Sequence, residues 1–218
     1  MYTKLWNKKL LMIHKFKEEY LNIPLDDYIL TFDDGIYNHY LWYKTIIKKF
    51  PNIKMIFFIS GNIINNTNIY LDIDSPEAHN MYFKQNRLDG FMSMSQIIEI
   101  SKNDNCYIGI HGYNHLNIVN MRKHYKLKEL YDLYKIDCYN MFNWSSDLYS
   151  KNILSKNINE LIYCTPYNQY DELAISILKK EHSISKINYL RLTIIGPKRI
   201  DINKYFRIKN NPKSNKQD

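Results

Sequence analysis

The chain is poor in the features that mark secreted, membrane-spanning or cysteine-based proteins. Its three cysteines, Cys106, Cys138 and Cys164, are odd in number and lack CxxC spacing. Neither a disulfide scaffold nor a cysteine zinc site follows from them. No apolar run approaches the ~18 residues of a membrane span. The N-terminal stretch MYTKLWNKKLLMIHKFKEEY carries charges through its only apolar part, so it lacks the hydrophobic centre of a secretory signal. A cytoplasmic setting is therefore expected. The formal net charge is +8 with a pI near 9.1, yet no nucleic-acid-binding motif accompanies the excess. Lys44, Lys48, Lys49, Lys123, Lys126 and Lys128 fall where amphipathic helices would place a solvated face, and further basic residues gather in a polar stretch at 204–216. No nucleic-acid partner is expected.

What is present is globular. At 218 residues and 45% hydrophobic, the chain can bury one sizeable core and is too short for two large domains. Short apolar, β-branched runs at 28–32, 53–59, 106–110, 161–164 and 189–195 read as strands. Helical patterns lie at 10–20, 40–49, 95–101, 127–142 and 171–181. Near-continuously apolar strands separated by amphipathic helices predict a parallel α/β sheet or barrel. Residues 62–92, rich in Asn and Asp and without clear periodicity, break the rhythm as a functional or disordered loop would. The expected organisation is one domain over 1–205 with an insertion near 62–92, followed by a polar basic tail at 206–218.

Three strings can carry chemistry. Thr31-Phe32-Asp33-Asp34-Gly35 places adjacent carboxylates where a strand runs out, the functional edge of parallel α/β folds. Two ionised neighbours repel unless a cation compensates; read alone, Asp-Asp-Gly is also an ordinary turn. Ile110-His111-Gly112-Tyr113-Asn114-His115 follows another strand. Histidines four apart on one helical turn face the same side, and with a distant carboxylate they match the His₂Asp count of a catalytic metal site. A packed or solvated pair is the alternative. In Tyr163-Cys164-Thr165-Pro166-Tyr167, Pro166 fixes the backbone and could aim the Tyr167 amide at one spot.

Together the strings resemble the polysaccharide deacetylases, the NodB homology domain of carbohydrate esterase family four. Thr31-Phe32-Asp33-Asp34-Gly35 is similar to that family's TFDDG signature. The segment from His111 to His115 resembles its second, a His, a Ser or Thr, two residues and another His. Thr165-Pro166-Tyr167 resembles the end of Arg-x-Pro-Tyr. The resemblance implies an α/β fold, a distorted (β/α) barrel with fewer than eight regular units. It implies that Asp34, His111 and His115 hold one divalent metal ion, with Zn²⁺ the best match to two imidazoles and a carboxylate. Asp33 would be the general base, and the Tyr167 N–H would help to stabilise the oxyanion. The implied partner is an N-acylated sugar or glycan, and the implied reaction is metal-dependent removal of a small acyl group. A sugar-binding or scaffold protein without activity is the rival.

The chain departs from the family pattern in ways that shape this expectation. Gly112 replaces the Ser or Thr, no late Leu-x-His supplies a general acid, and His182 lies on a helical pattern. Cys164 stands where the family has the Arg that braces the catalytic carboxylate. A substitute is expected downstream, with Arg199 favoured over Arg191 because it follows a strand end. His79 or Asp89 is expected to reach the site from the insertion.

Overall fold

The computed structural model describes residues 8–154, 158–169, 171–196 and 199–203; the tail at 206–218 lies outside the described residues. Among them are seven strands: β1 (Lys9–Ile13), β2 (Tyr28–Phe32), β3 (Lys54–Ile59), β4 (Cys106–Ile110), β5 (Glu160–Cys164), β6 (Arg191–Ile195) and β7 (Ile200–Asp201). They form one sheet in the order β6-β5-β4-β3-β2-β1-β7, and every pairing is parallel. Among the described residues the α-helices are α1 (Tyr37–Lys49), α2 (Ser75–Gln85), α3 (Met94–Ser101), α4 (Ile118–Met121), α5 (Leu127–Ser150) and α6 (Glu172–Ile184).

The connectivity forces the sheet to curl. β6 and β7 lie at opposite edges, and laid flat the sheet would hold them about 29 Å apart. The chain from Ile195 to Ile200 can span at most about 18 Å. The edges must therefore approach one another, as in an incomplete barrel. Alternation along the strands separates two faces. Leu30, Phe32, Met55, Phe57, Ile108, Leu161 and Tyr163 pack outward with Ile46, Ile97, Leu130 and Leu178 of the helices. Ile29, Ile56, Phe58, Ile162, Cys164 and Ile195 form a smaller cluster on the helix-free inner face. Side chains of this size are worth about 1.5–3 kcal/mol each when taken from water.

Two sequence expectations are corrected. Residues 10–20 are not a helix: β1 pairs in register with β2, followed by a 3₁₀ turn at Glu18–Asn22. The short apolar run suits a strand buried on both sides, and periodicity alone cannot distinguish that from a helix. The insertion is not structureless, because α2 lies within it. Asp74 caps that helix by accepting the Glu77 N–H at 3.0 Å, and Asn86 ends it in a left-handed conformation. Among the described residues no helix is long and apolar enough to cross a membrane.

Candidate active site

The three strings leave the carboxyl ends of β2, β4 and β5 and converge there. Each bends through a left-handed residue: Asp34 (φ 73°), His115 (φ 55°) and Tyr167 (φ 57°). That conformation is unfavourable by roughly 1–2 kcal/mol for a side-chain-bearing residue, so the surroundings must impose it. Part of that support is Asp137 of α5, which is buried. Its carboxylate accepts the N–H groups of Tyr113 (3.1 Å) and Asn114 (2.9 Å) and the Asn114 side-chain amide (2.8 Å). Gly112 has φ 78°, and an added Cβ would meet its nearest atom, in Pro166, at 3.4 Å. Backbone conformation, more than space, calls for glycine there.

Asp34, His111 and His115 form a buried cluster whose ligand atoms lie within 4.8 Å of one another. Asp34 Oδ1 is 3.2 Å from His111 Nε2 and 2.9 Å from His115 Nε2. Burial pushes the Asp34 carboxyl up, but its contacts with the two imidazoles outweigh this and hold it well below the usual carboxylate range. His111 Nδ1 donates to the Cys164 carbonyl at 2.9 Å. Burial opposes charge on the ring, but Cys164 and Asp34 outweigh it and push the His111 pKa well up, so Nε2 directs toward the carboxylate a proton that a metal ion would displace. His115 Nε2 is buried and too poorly aligned with Asp34 for a hydrogen bond. An orphaned imidazole nitrogen, an oriented one and a carboxylate oxygen in one pocket suit a divalent cation.

Asp33 faces different company. Arg199 grips it with both prongs, Nη1 to Oδ1 at 2.5 Å and Nη2 to Oδ2 at 2.6 Å. Nη1 also donates to the Thr31 hydroxyl (3.1 Å), Nη2 to the Asn168 side chain (3.3 Å). The guanidinium carbon lies 5.7 Å from the centre of the Phe58 ring. Arg199 reaches this point from just before β7, at the edge of the curled sheet beside β1. Beside the pair the buried Cys164 thiol is pushed up by desolvation and by the charge of Asp33. Phe58 requires Gly109 beneath it, since a Cβ there would lie 2.5 Å from its ring.

The remaining sequence candidates divide. His79 of α2 stacks on His115, with ring centres 4.4 Å apart and planes 24° apart; burial pushes its pKa down to about 4, so the ring is neutral. The Tyr167 ring lies 4.7 Å from His115 on the half-exposed side. Asp89 instead pairs with Arg87 at 2.5 Å. Arg191 opens β6, at the end away from the site. His182 packs against Phe142 between α5 and α6. The sequence reading missed Ser75, whose hydroxyl donates to Asp34 Oδ2 at 2.5 Å. Its one local signal is Asp74-Ser75-Pro76-Glu77, a helix start. Beside the cluster, Tyr82, Phe83, Asn86, Asn114 and Leu116 line an open groove of about 650 Å³.

An incomplete parallel (β/α) barrel with an Asp-His-His cluster at the carboxyl ends of its strands defines the class. The family model for polysaccharide deacetylases matches residues 24–182, and the chain belongs to that family. The chain is similar to the solved structure of IcaB from Ammonifex degensii (15% identity, TM-score 0.52), covering 88% of this chain and 90% of that one. It is also similar to a de-N-acetylase from Aggregatibacter actinomycetemcomitans (16% identity, TM-score 0.51), covering 93% and 82%. At these identities the likeness concerns the fold. No curated protein matches by sequence.

Proposed function

We propose that this chain is a metal-dependent hydrolase that removes N-acetyl or another small acyl group from an amino-sugar-containing carbohydrate or glycan precursor. Residues 1–205 would form its single catalytic domain. The observation that carries the reading is the pairing of two adjacent sites: a buried Asp-His-His cluster and, one residue away, a carboxylate braced by an arginine. Asp34, His111 and His115 would hold one divalent ion, best matched by Zn²⁺, which when bound would polarise the acyl carbonyl and activate water. Asp33, oriented by the two-pronged contact with Arg199, accepts a proton from the attacking water. The Tyr167 N–H donates to the carbonyl oxygen as negative charge builds there. The C–N bond then breaks; acetate leaves, and the departing nitrogen takes up a proton to become the free amine. The groove beside His115 suits a sugar, because the exposed face of Phe83 and the amides of Asn86 and Asn114 match apolar ring faces and hydroxyls. Three free, buried thiols fit a reducing, cytoplasmic setting.

A second reading, an inactive sugar-binding or scaffold protein, is favoured by the position of His182, which is packed between helices where it cannot serve as the family's late histidine acid. One experiment separates the two readings. Metal content is measured on purified protein, and acetate release is followed from a panel of N-acetylated sugars before and after chelation. Stoichiometric metal and chelator-sensitive release support the hydrolase. Full release after complete metal removal refutes metal dependence, and sugar binding without release establishes the inactive form.

A further inference from the structure

We infer that the N-terminal end of the inserted helix α2 is a clamp on the metal-binding cluster, acting through Ser75 and His79 as positioning residues. The inference rests on the metal-binding reading above. His111 is oriented by the barrel itself, through the Cys164 carbonyl at the end of β5. The other two candidate ligands are held from α2. Ser75 donates its hydroxyl to Asp34 Oδ2 at 2.5 Å, leaving Oδ1 for the imidazoles. His115 has no hydrogen-bond partner at Nδ1 among the described residues. What fixes its ring is ring contact: it stacks on His79 with centres 4.4 Å apart and meets Tyr167 at a tilt with centres 4.7 Å apart.

Ser75 and His79 act as one unit, since His79 Nδ1 donates to the Ser75 carbonyl at 3.0 Å one helical turn away. His79 is in turn wedged by Phe83 (5.9 Å) and Phe91 (5.4 Å), so it cannot swing off His115. The Asp74 cap fixes where the helix begins, and thereby which residues meet the cluster. Groups that orient metal ligands typically change metal affinity by about 10–100-fold when removed.

The test is a competition titration of Zn²⁺ between a chromophoric chelator and the metal-free full chain. It compares wild type, Ser75→Ala, His79→Ala and His79→Phe, with Lys84→Ala on the exposed end of α2 as control. Thermal melts of the metal-free forms check folding. Ser75→Ala and His79→Ala should weaken Zn²⁺ binding by about 10–100-fold, while His79→Phe, which keeps a flat ring against His115, and Lys84→Ala stay close to wild type. If folded Ser75→Ala and His79→Ala bind as tightly as wild type, the clamp is refuted and the metal site stands. If His79→Phe is as weak as His79→Ala, the stacking role is overturned. A wild type that binds no Zn²⁺ refutes the metal reading itself. Should His79→Ala fail to fold, Ser75→Ala and His79→Phe still decide the matter.

Discussion

Asp33 and Asp34 are neighbours in sequence and equally buried, yet they answer to different cations. Asp33 continues the inner face of β2 and meets Arg199, a permanent charge that does not titrate in proteins. Asp34 is turned by its left-handed backbone toward two imidazoles, whose protons can be exchanged for a metal. The difference explains how two adjacent carboxylates can share one cleft. Each has its own compensating partner, which offsets their mutual repulsion. On the proposed reading the pairing would also divide labour: the fixed cation would orient a base, and the imidazoles would leave room for a metal ion.

The contrast is broken most severely at Asp34. Asp34→Asn keeps the shape and removes the anionic ligand. Bound metal should be lost and acyl hydrolysis should fall to background; elemental analysis showing a full complement of ion in this variant would remove Asp34 from the ligand set. The partner substitution should separate the two roles. Asp33→Asn should lower kcat by ~10²–10⁴, the range of general-base catalysis, with metal content unchanged. A variant that works like wild type would show that Asp33 is not the base.

Arg199→Ala comes next. It leaves a buried carboxylate unpaired, which destabilises by roughly 3–5 kcal/mol when a buried ion pair loses one partner. A lowered melting temperature and lowered kcat should appear together, again with metal retained. Arg199→Lys restores charge without the two-pronged grip and should recover stability better than rate. Equal recovery of both would mean that orientation of Asp33 is unimportant.

How far the sequence could reach follows from where each signal is local. The strands β2 to β6 were legible because their apolar runs are short and bounded, and their alternation with helices pointed to a parallel sheet or barrel; the distorted barrel came from the family resemblance. β1 was not, because an apolar run with lysines on either side has no period that separates strand from helix; pairing with β2 decides it. Likewise α2 was hidden, since its helix start at Asp74-Ser75-Pro76-Glu77 sits in a polar, weakly periodic segment. In the site, Asp33, Asp34, His111 and His115 were visible through their spacing at strand ends. Asp137 and Ser75 were not, because each acts on a residue far away in sequence and shows no pattern of its own. Arg199 is intermediate: a strand end suggested it, but only the curl of the sheet, which brings the β7 edge round to the inner face, sets it against Asp33.

The smallest expected effect concerns the exchange between positions 164 and 199. The family pattern places the bracing arginine at 164, where this chain has Cys164, a buried residue of the inner face. Arg199 reaches the same carboxylate from the opposite edge of the curl, and Asp33 is the largest charge influence on the Cys164 thiol after burial itself. If the site needs one guanidinium and is indifferent to its origin, Cys164→Arg should harm the wild type through overpacking, by about 1–3 kcal/mol. In the Arg199→Ala background, where a cavity and an unpaired Asp33 are waiting, the same change should harm less or restore part of the activity. The measurement is a double-mutant cycle on kcat/KM and on melting temperature, with a favourable coupling of about 0.5–3 kcal/mol expected for groups that share a partner. Strict additivity would show that an arginine at 164 cannot take over the contact, and that Arg199 braces Asp33 by a route particular to this curled sheet.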